Sequence, residues 1–136
     1  MAMNMDPTIG DKLNSVSIMG GNIHGIGNVA IASEFNFYGD PEAAYVVLDR
    51  LPPSCKGTII SWECSMKNFF SADKIGLVHG KSKLGDFLYP RMAKMRGSFG
   101  PYHKIKGPDS NNLMCICDLL PPVALLHPYL IAEKGI

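Results

Sequence analysis

A chain of 136 residues has room for one moderate hydrophobic core and little more. With 46% hydrophobic and 18% charged residues, the composition excludes a disordered chain. A formal net charge of +1 excludes the strong field that gathers nucleic acid or an anionic membrane.

Residues 1–12 carry no periodicity and read as a disordered or irregular N-terminus, so the domain proper is expected over 13–136. Leu13–Met19 is a short apolar run that stops at Gly20-Gly21, the pattern of a strand entering a loop. That loop, Gly20–Asn28 (GGNIHGIGN), is too long for a hairpin turn, which points to a role at the strand's end. The clearest helix begins at Asp40, whose carboxylate can cap it, with Pro41 in the first turn and Glu42 facing the positive end of the dipole. Ala43, Ala44, Val46, Val47 and Leu48 supply its apolar face, and Pro52-Pro53 stop it. Thr58–Trp62 is rich in β-branched residues and reads as a second strand. Strand, helix, strand in that order predicts an α/β fold with a parallel sheet. Lys67–Ala72 stays open between helix and strand, Leu84–Arg96 has helical periodicity interrupted by Pro90, and Gly97–Asn112 reads as a loop. The apolar segment Leu113–Ile131 reads as a strand up to Cys117 and a helix through Leu126, with the unusual pair Pro121-Pro122 near its start.

No stretch reaches membrane-spanning length, and Met1–Thr8 lacks the basic and apolar regions of a leader. Cys64 and Cys117 fall inside apolar or element-like segments, which fits a reduced, cytoplasmic protein better than a disulfide scaffold. Cys115-x-Cys117 is a poor match to zinc spacing. The basic residues between Lys81 and Lys106 are interrupted by apolar ones and read as a solvated face.

The stretch with the most chemistry is Met19–Ala44. A glycine loop at the C-terminal end of a parallel strand is where open α/β sheets place ligands. Asn28, Glu34 and Asn36 follow within one segment, between the apolar Val29, Ile31, Phe35 and Phe37. A carboxylate and two carboxamides suit the vicinal hydroxyls of a sugar, because together they donate and accept. Spacing alone favours a plainer reading, in which Glu34 and Asn36 bond to loop backbone. A phosphate site is weaker still, since no Lys or Ser/Thr stands in the P-loop position. Asp118, at a strand-to-helix junction, can cap the helix or ligate a hard cation.

The string MGG…GN…EFN…DPEAA closely resembles the central signature of the inosine-uridine preferring nucleoside hydrolases, which are calcium-dependent ribohydrolases. The resemblance implies that Asn28, Glu34 and Asn36 hold the ribose hydroxyls. Cys117-Asp118-Leu119-Leu120 resembles a second family segment, and Asp118 matches its calcium-ligating Asp. Cys117 stands where the family often has His, making it the candidate group for protonating the leaving base. Pro121-Pro122 replace small residues of the family helix. The resemblance implies the C-terminal part of an open, mostly parallel sheet with flanking helices, its N-terminal strands missing. The family's N-terminal Asp-rich motif, which supplies most calcium ligands and the base that activates water, has no match here. The expected activity is hydrolysis of the ribonucleoside N-glycosidic bond, with Ca2+ as cofactor and a nucleoside as substrate. The alternative is a non-catalytic truncated fold that binds a ribose-like ligand or a partner protein. On its own the chain is expected to bind calcium weakly, turn over little, and self-associate unless a homo-oligomer partner or the missing N-terminal half covers its sheet edge. His24, Trp62 and Tyr102 are candidates for the pocket wall, while His79, His103 and His127 read as surface or packing residues.

Overall fold

A computed structural model of the chain describes residues 1–71, 74, 77, 79–95 and 113–131. The chain divides into two compact units, one of Met1–Lys67 with Cys117–Ile136 and one of Asn68–Ile116.

The first unit is built on two strands, β1 (Ser15–Met19) and β2 (Lys56–Ile60). They pair in parallel, from Ser15 opposite Lys56 to Met19 opposite Ile60. Parallel pairing needs a crossover, which holds two helices, α2 (Phe35–Gly39) and α3 (Pro41–Arg50). The parallel α/β arrangement is therefore as the sequence predicts. Helix α3 starts at Asp40, whose Oδ1 accepts from the Ala43 N–H at 2.9 Å. It ends before Leu51, which is extended, as a residue preceding a proline prefers. Ala43, Ala44, Val46 and Val47 are half-buried, while Tyr45 and Leu48 face outward.

The second predicted strand is displaced. It stops at Ile60, and Trp62, expected to end it, instead opens helix α4 (Trp62–Lys67). Ser61 explains the break: its Oγ accepts from the Cys64 N–H at 3.4 Å, the bond made by a serine capping a helix. The N-terminus also differs from the irregular end expected over residues 1–12. It forms a helical turn, α1 (Ala2–Met5), and a 3-10 turn, Gly10–Lys12. Met3 is buried, and Arg50 on α3 donates to Met3 O at 3.2 Å and to Asn4 Oδ1 at 2.7 Å.

In the second unit, β3 (Phe69–Ser71) pairs antiparallel with β4 (Leu113–Cys115), and α5 spans Lys83–Met95 with Pro90 inside it. The ambiguous Lys67–Ala72 segment thus supplies a strand. The predicted loop 97–112, with Tyr102 and His103, lies outside the described residues. In the first unit, Cys117–Leu119 is a 3-10 turn rather than a strand end, and it leads into α6 (Leu120–Leu126), which lies against β1 and β2. Pro121 and Pro122 fall in its first turn, where backbone N–H groups have no intrahelical acceptor, so no hydrogen bond is forfeited.

Candidate functional site

The site grows from the end of β1. The Gly20 N–H donates to Ile60 O at 3.1 Å, and the Trp62 N–H donates to Gly21 O at 2.9 Å. The chain therefore stays against the β2–α4 junction as it leaves the strand. Two glycines make this path available. Gly21 has φ +68, a left-handed conformation that side-chain-bearing residues rarely adopt. A Cβ on Gly20 would sit 2.7 Å from Phe37 Cε1, so the aromatic ring of α2 requires bare backbone there.

Glu34 is the pivot of the segment. It is only 2% exposed, and its carboxylate accepts from three backbone N–H groups. Oε2 takes Gly21 at 2.9 Å and Phe37 at 3.2 Å, and Oε1 takes Asn36 at 3.0 Å. The two bonds to Asn36 and Phe37 cap helix α2, and the bond to Gly21 ties that cap to the start of the loop. The plainer sequence reading of Glu34, as a ligand of backbone, is thus what its bonds show. A carboxylate has about four lone-pair directions, so roughly one stays open beyond the three in use.

Asn28 and Asn36 flank this pivot, and both are exposed. Asn28 Oδ1 accepts from the Phe35 N–H at 2.8 Å, which satisfies a further amide at the start of α2. Asn36 Nδ2 lies 3.3 Å from Met19 O and 2.9 Å from Met19 Sδ, so its side chain reaches back to the last residue of β1. The three residues singled out by the sequence therefore meet around one short helix turn at the strand's C-terminal end. Each has one polar face turned to the backbone, which fixes its rotamer.

Sequence reasoning passed over Glu63. Its Oε1 accepts from the Ile23 and His24 N–H groups, at 2.8 and 2.9 Å. Burial opposes the charge on Glu63, but hydrogen bonds from His24, its own amide, Ser61 and Ile23 outweigh it and hold the carboxyl down at about 2. The available signal was an acidic residue just after a strand, in the first turn of a helix capped by serine. The rest of the loop closes on itself: Asn22 Nδ2 donates to Ala32 O at 3.0 Å, and Asn28 N–H to Ser33 O at 3.1 Å.

The remaining candidates are less gathered. The His24 residue is exposed while its backbone is held by Glu63. Trp62 is half-buried at the head of α4. On the 3-10 turn before α6, Cys117 is half-buried and Asp118 exposed. His127 is exposed, with Tyr129 Oη 3.1 Å from its Nδ1, and the His79 ring lies 4.5 Å from that of Tyr89, as surface and packing roles predict. Among the described residues no group of three or more His, Cys, Asp or Glu could hold a metal ion. Calcium takes about six to eight oxygens. Asp118 alone does not make that set, so no chemical step is routed through a metal. Among the described residues no helix is long and apolar enough to cross a membrane.

Comparison with known proteins places this geometry in context. The family model described as inosine-uridine preferring nucleoside hydrolase matches residues 1–135. A protein named probable uridine nucleosidase 1, from Oryza sativa subsp. japonica, is 43% identical over 138 residues, covering 100% of this chain and 40% of its own length. The inosine-uridine preferring nucleoside hydrolase of Leishmania major is 43% identical over 50 residues, 37% of this chain and 16% of its own length. Probable uridine nucleosidase 2 of Arabidopsis thaliana is 31% identical over 114 residues, 79% of this chain and 33% of its own length. The chain spans less than half the length of each of these relatives.

Proposed function

Because this chain belongs to the inosine-uridine preferring nucleoside hydrolase family, we propose that it supplies the ribose-holding wall of an enzyme that hydrolyses the N-glycosidic bond of ribonucleosides. The products are ribose and a free base. Asn28, Glu34 and Asn36 bind the sugar, and the observation that carries the reading is that all three gather around the first turn of α2, beside the end of β1. With one face of each group held by backbone, the other is preorganised, and ordering costs on binding fall.

Cleavage of the bond passes through an oxocarbenium-like, flattened ribose. Carboxamides that hold the vicinal hydroxyls of that flattened ring more tightly than those of the puckered substrate favour the transition state. The last open lone pair of Glu34 accepts a hydroxyl proton, a charge-assisted bond stronger than a neutral one. Asp118 is the carboxylate offered to Ca2+ in this reading, and Cys117 is the group nearest to it in sequence for protonating the departing base. His24 and Trp62 line the loop side of the pocket. The names of the rice and Arabidopsis relatives make uridine the first substrate to try. A cytoplasmic setting belongs to the same reading, on the sequence argument from Cys64 and Cys117.

The test measures uridine binding and uracil release together, with calcium in excess, for the chain and its Asn28→Ala, Asn36→Ala and Asp118→Ala forms. Each asparagine change is expected to weaken uridine binding roughly tenfold, the loss of about one good hydrogen bond. Asp118→Ala is expected to lower the chain's weak affinity for calcium and to leave sugar binding in place. Binding without release in every form would mark the non-catalytic, ribose-binding alternative. Binding unchanged by both asparagine substitutions overturns the site.

A further inference from the structure

We propose that Glu63, one helix away from the residues assigned to the sugar, is a positioning residue: it pins the glycine-rich loop and so fixes where Asn28 is presented. The inference rests on the ribose-binding reading of Asn28. Glu63 stands on α4, and its Oε1 reaches across 39 and 40 positions of sequence to the His24 and Ile23 amides. Two N–H groups converging on one carboxylate oxygen fix both the distance and the direction of the loop. Those bonds are charge-assisted.

The loop transmits that restraint because it is closed on itself. Asn22 Oδ1 accepts from the Gly25 N–H at 3.1 Å and Asn22 Nδ2 donates to Ala32 O at 3.0 Å, so the loop's two limbs are stapled together. At its far end the Gly27 N–H donates to Ile31 O at 3.0 Å and the Asn28 N–H to Ser33 O at 3.1 Å. Asn28 is thus carried on a loop whose first limb is held by Glu34 at Gly21 and by Glu63 at Ile23 and His24, while its own Oδ1 accepts from the Phe35 N–H. Asn36 is anchored differently. Its side chain bonds to Met19 on β1, and its backbone belongs to α2, so it does not depend on the Glu63 tether.

The difference defines a test on the full chain with uridine as the probe. Glu63→Ala removes the acceptor for both amides, and Glu63→Gln keeps a neutral carbonyl acceptor in its place. Glu63→Ala is expected to weaken uridine binding by up to roughly tenfold, no more than loss of the Asn28 contact through which it acts. Glu63→Gln is expected to recover most of that loss, which a requirement for negative charge at the sugar would not allow. In double mutants, Glu63→Ala with Asn28→Ala should bind no worse than Asn28→Ala alone, while Glu63→Ala with Asn36→Ala should lose the product of the two single effects. Wild-type-like binding by Glu63→Ala, or equal additivity with both asparagines, overturns the positioning role and leaves the sugar site standing. Absence of uridine binding by the unmodified chain overturns both, and circular dichroism of Glu63→Ala separates a displaced loop from an unfolded chain.

Discussion

Glu34 illustrates how one side chain serves fold and site together. It is buried, ionisable, and bonded to the Gly21, Asn36 and Phe37 amides. A buried carboxylate without donors would be strongly unfavourable, so the amides are a condition of its being there. Truncating it reverses the problem, leaving the amides without their acceptor in a part-buried place. Glu34→Ala is therefore expected to destabilise the chain by about 2–4 kcal/mol, since unmatched buried polar groups cost roughly 1–3 kcal/mol each and partial rehydration offsets some of it. Urea titration of the two forms measures this, and a midpoint unchanged by the substitution would count against the pivot role. The residue types and spacing of Asn28, Glu34 and Asn36 were legible in the sequence. Which faces of them the backbone occupies was not, because that depends on the left-handed turn at Gly21 and on the Phe37 ring under Gly20.

At the scale of elements, the loop after β1 is held by carboxylates from two different helix starts. Glu34 caps α2, and Glu63 lies in the first turn of α4. The depressed carboxyl of Glu63 gives the second tether a definite pH dependence. Its folded value lies below the unfolded value of about 4.3, so its contribution is complete above that value. As pH falls from there through about 2, the contribution is lost. Backbone amide shifts of Ile23 and His24 followed by NMR are expected to stay level down to pH near 4 and to titrate with a midpoint near 2. A midpoint near the ordinary value for a glutamate would show that the tether is not formed. Helix α3 was legible almost to the residue, because Asp40, Pro41 and Pro52 are strong local punctuation. Helix α4 was missed for the opposite reason. Thr58, Ile59 and Ile60 carry a β pattern into Ser61-Trp62, and only the serine hydroxyl, turned back to Cys64, marks the change.

For the whole molecule, the parallel pairing of β1 and β2 around a helical crossover followed from the order of the elements alone. The division into two units did not. Neither Lys67-Asn68 nor Ile116-Cys117, where the units meet along the chain, contains the Gly or Pro that signals a boundary. Among the described residues the buried apolar side chains are Met3, Cys55, Ile60 and Pro121, while Ile59 on β2 and Leu48 on α3 are exposed. The polar apparatus at the end of β1 is where backbone groups and side chains of the first unit satisfy one another. The most direct test of its role follows the side-chain carboxamide resonances of Asn28 and Asn36 while uridine, and separately 2′-deoxyuridine, is added. Saturable shifts of both groups with uridine, and much weaker ones with the deoxynucleoside, are the predicted result. Shifts confined to other residues, or equal responses to the two nucleosides, would contradict a site built to grip the ribose hydroxyls.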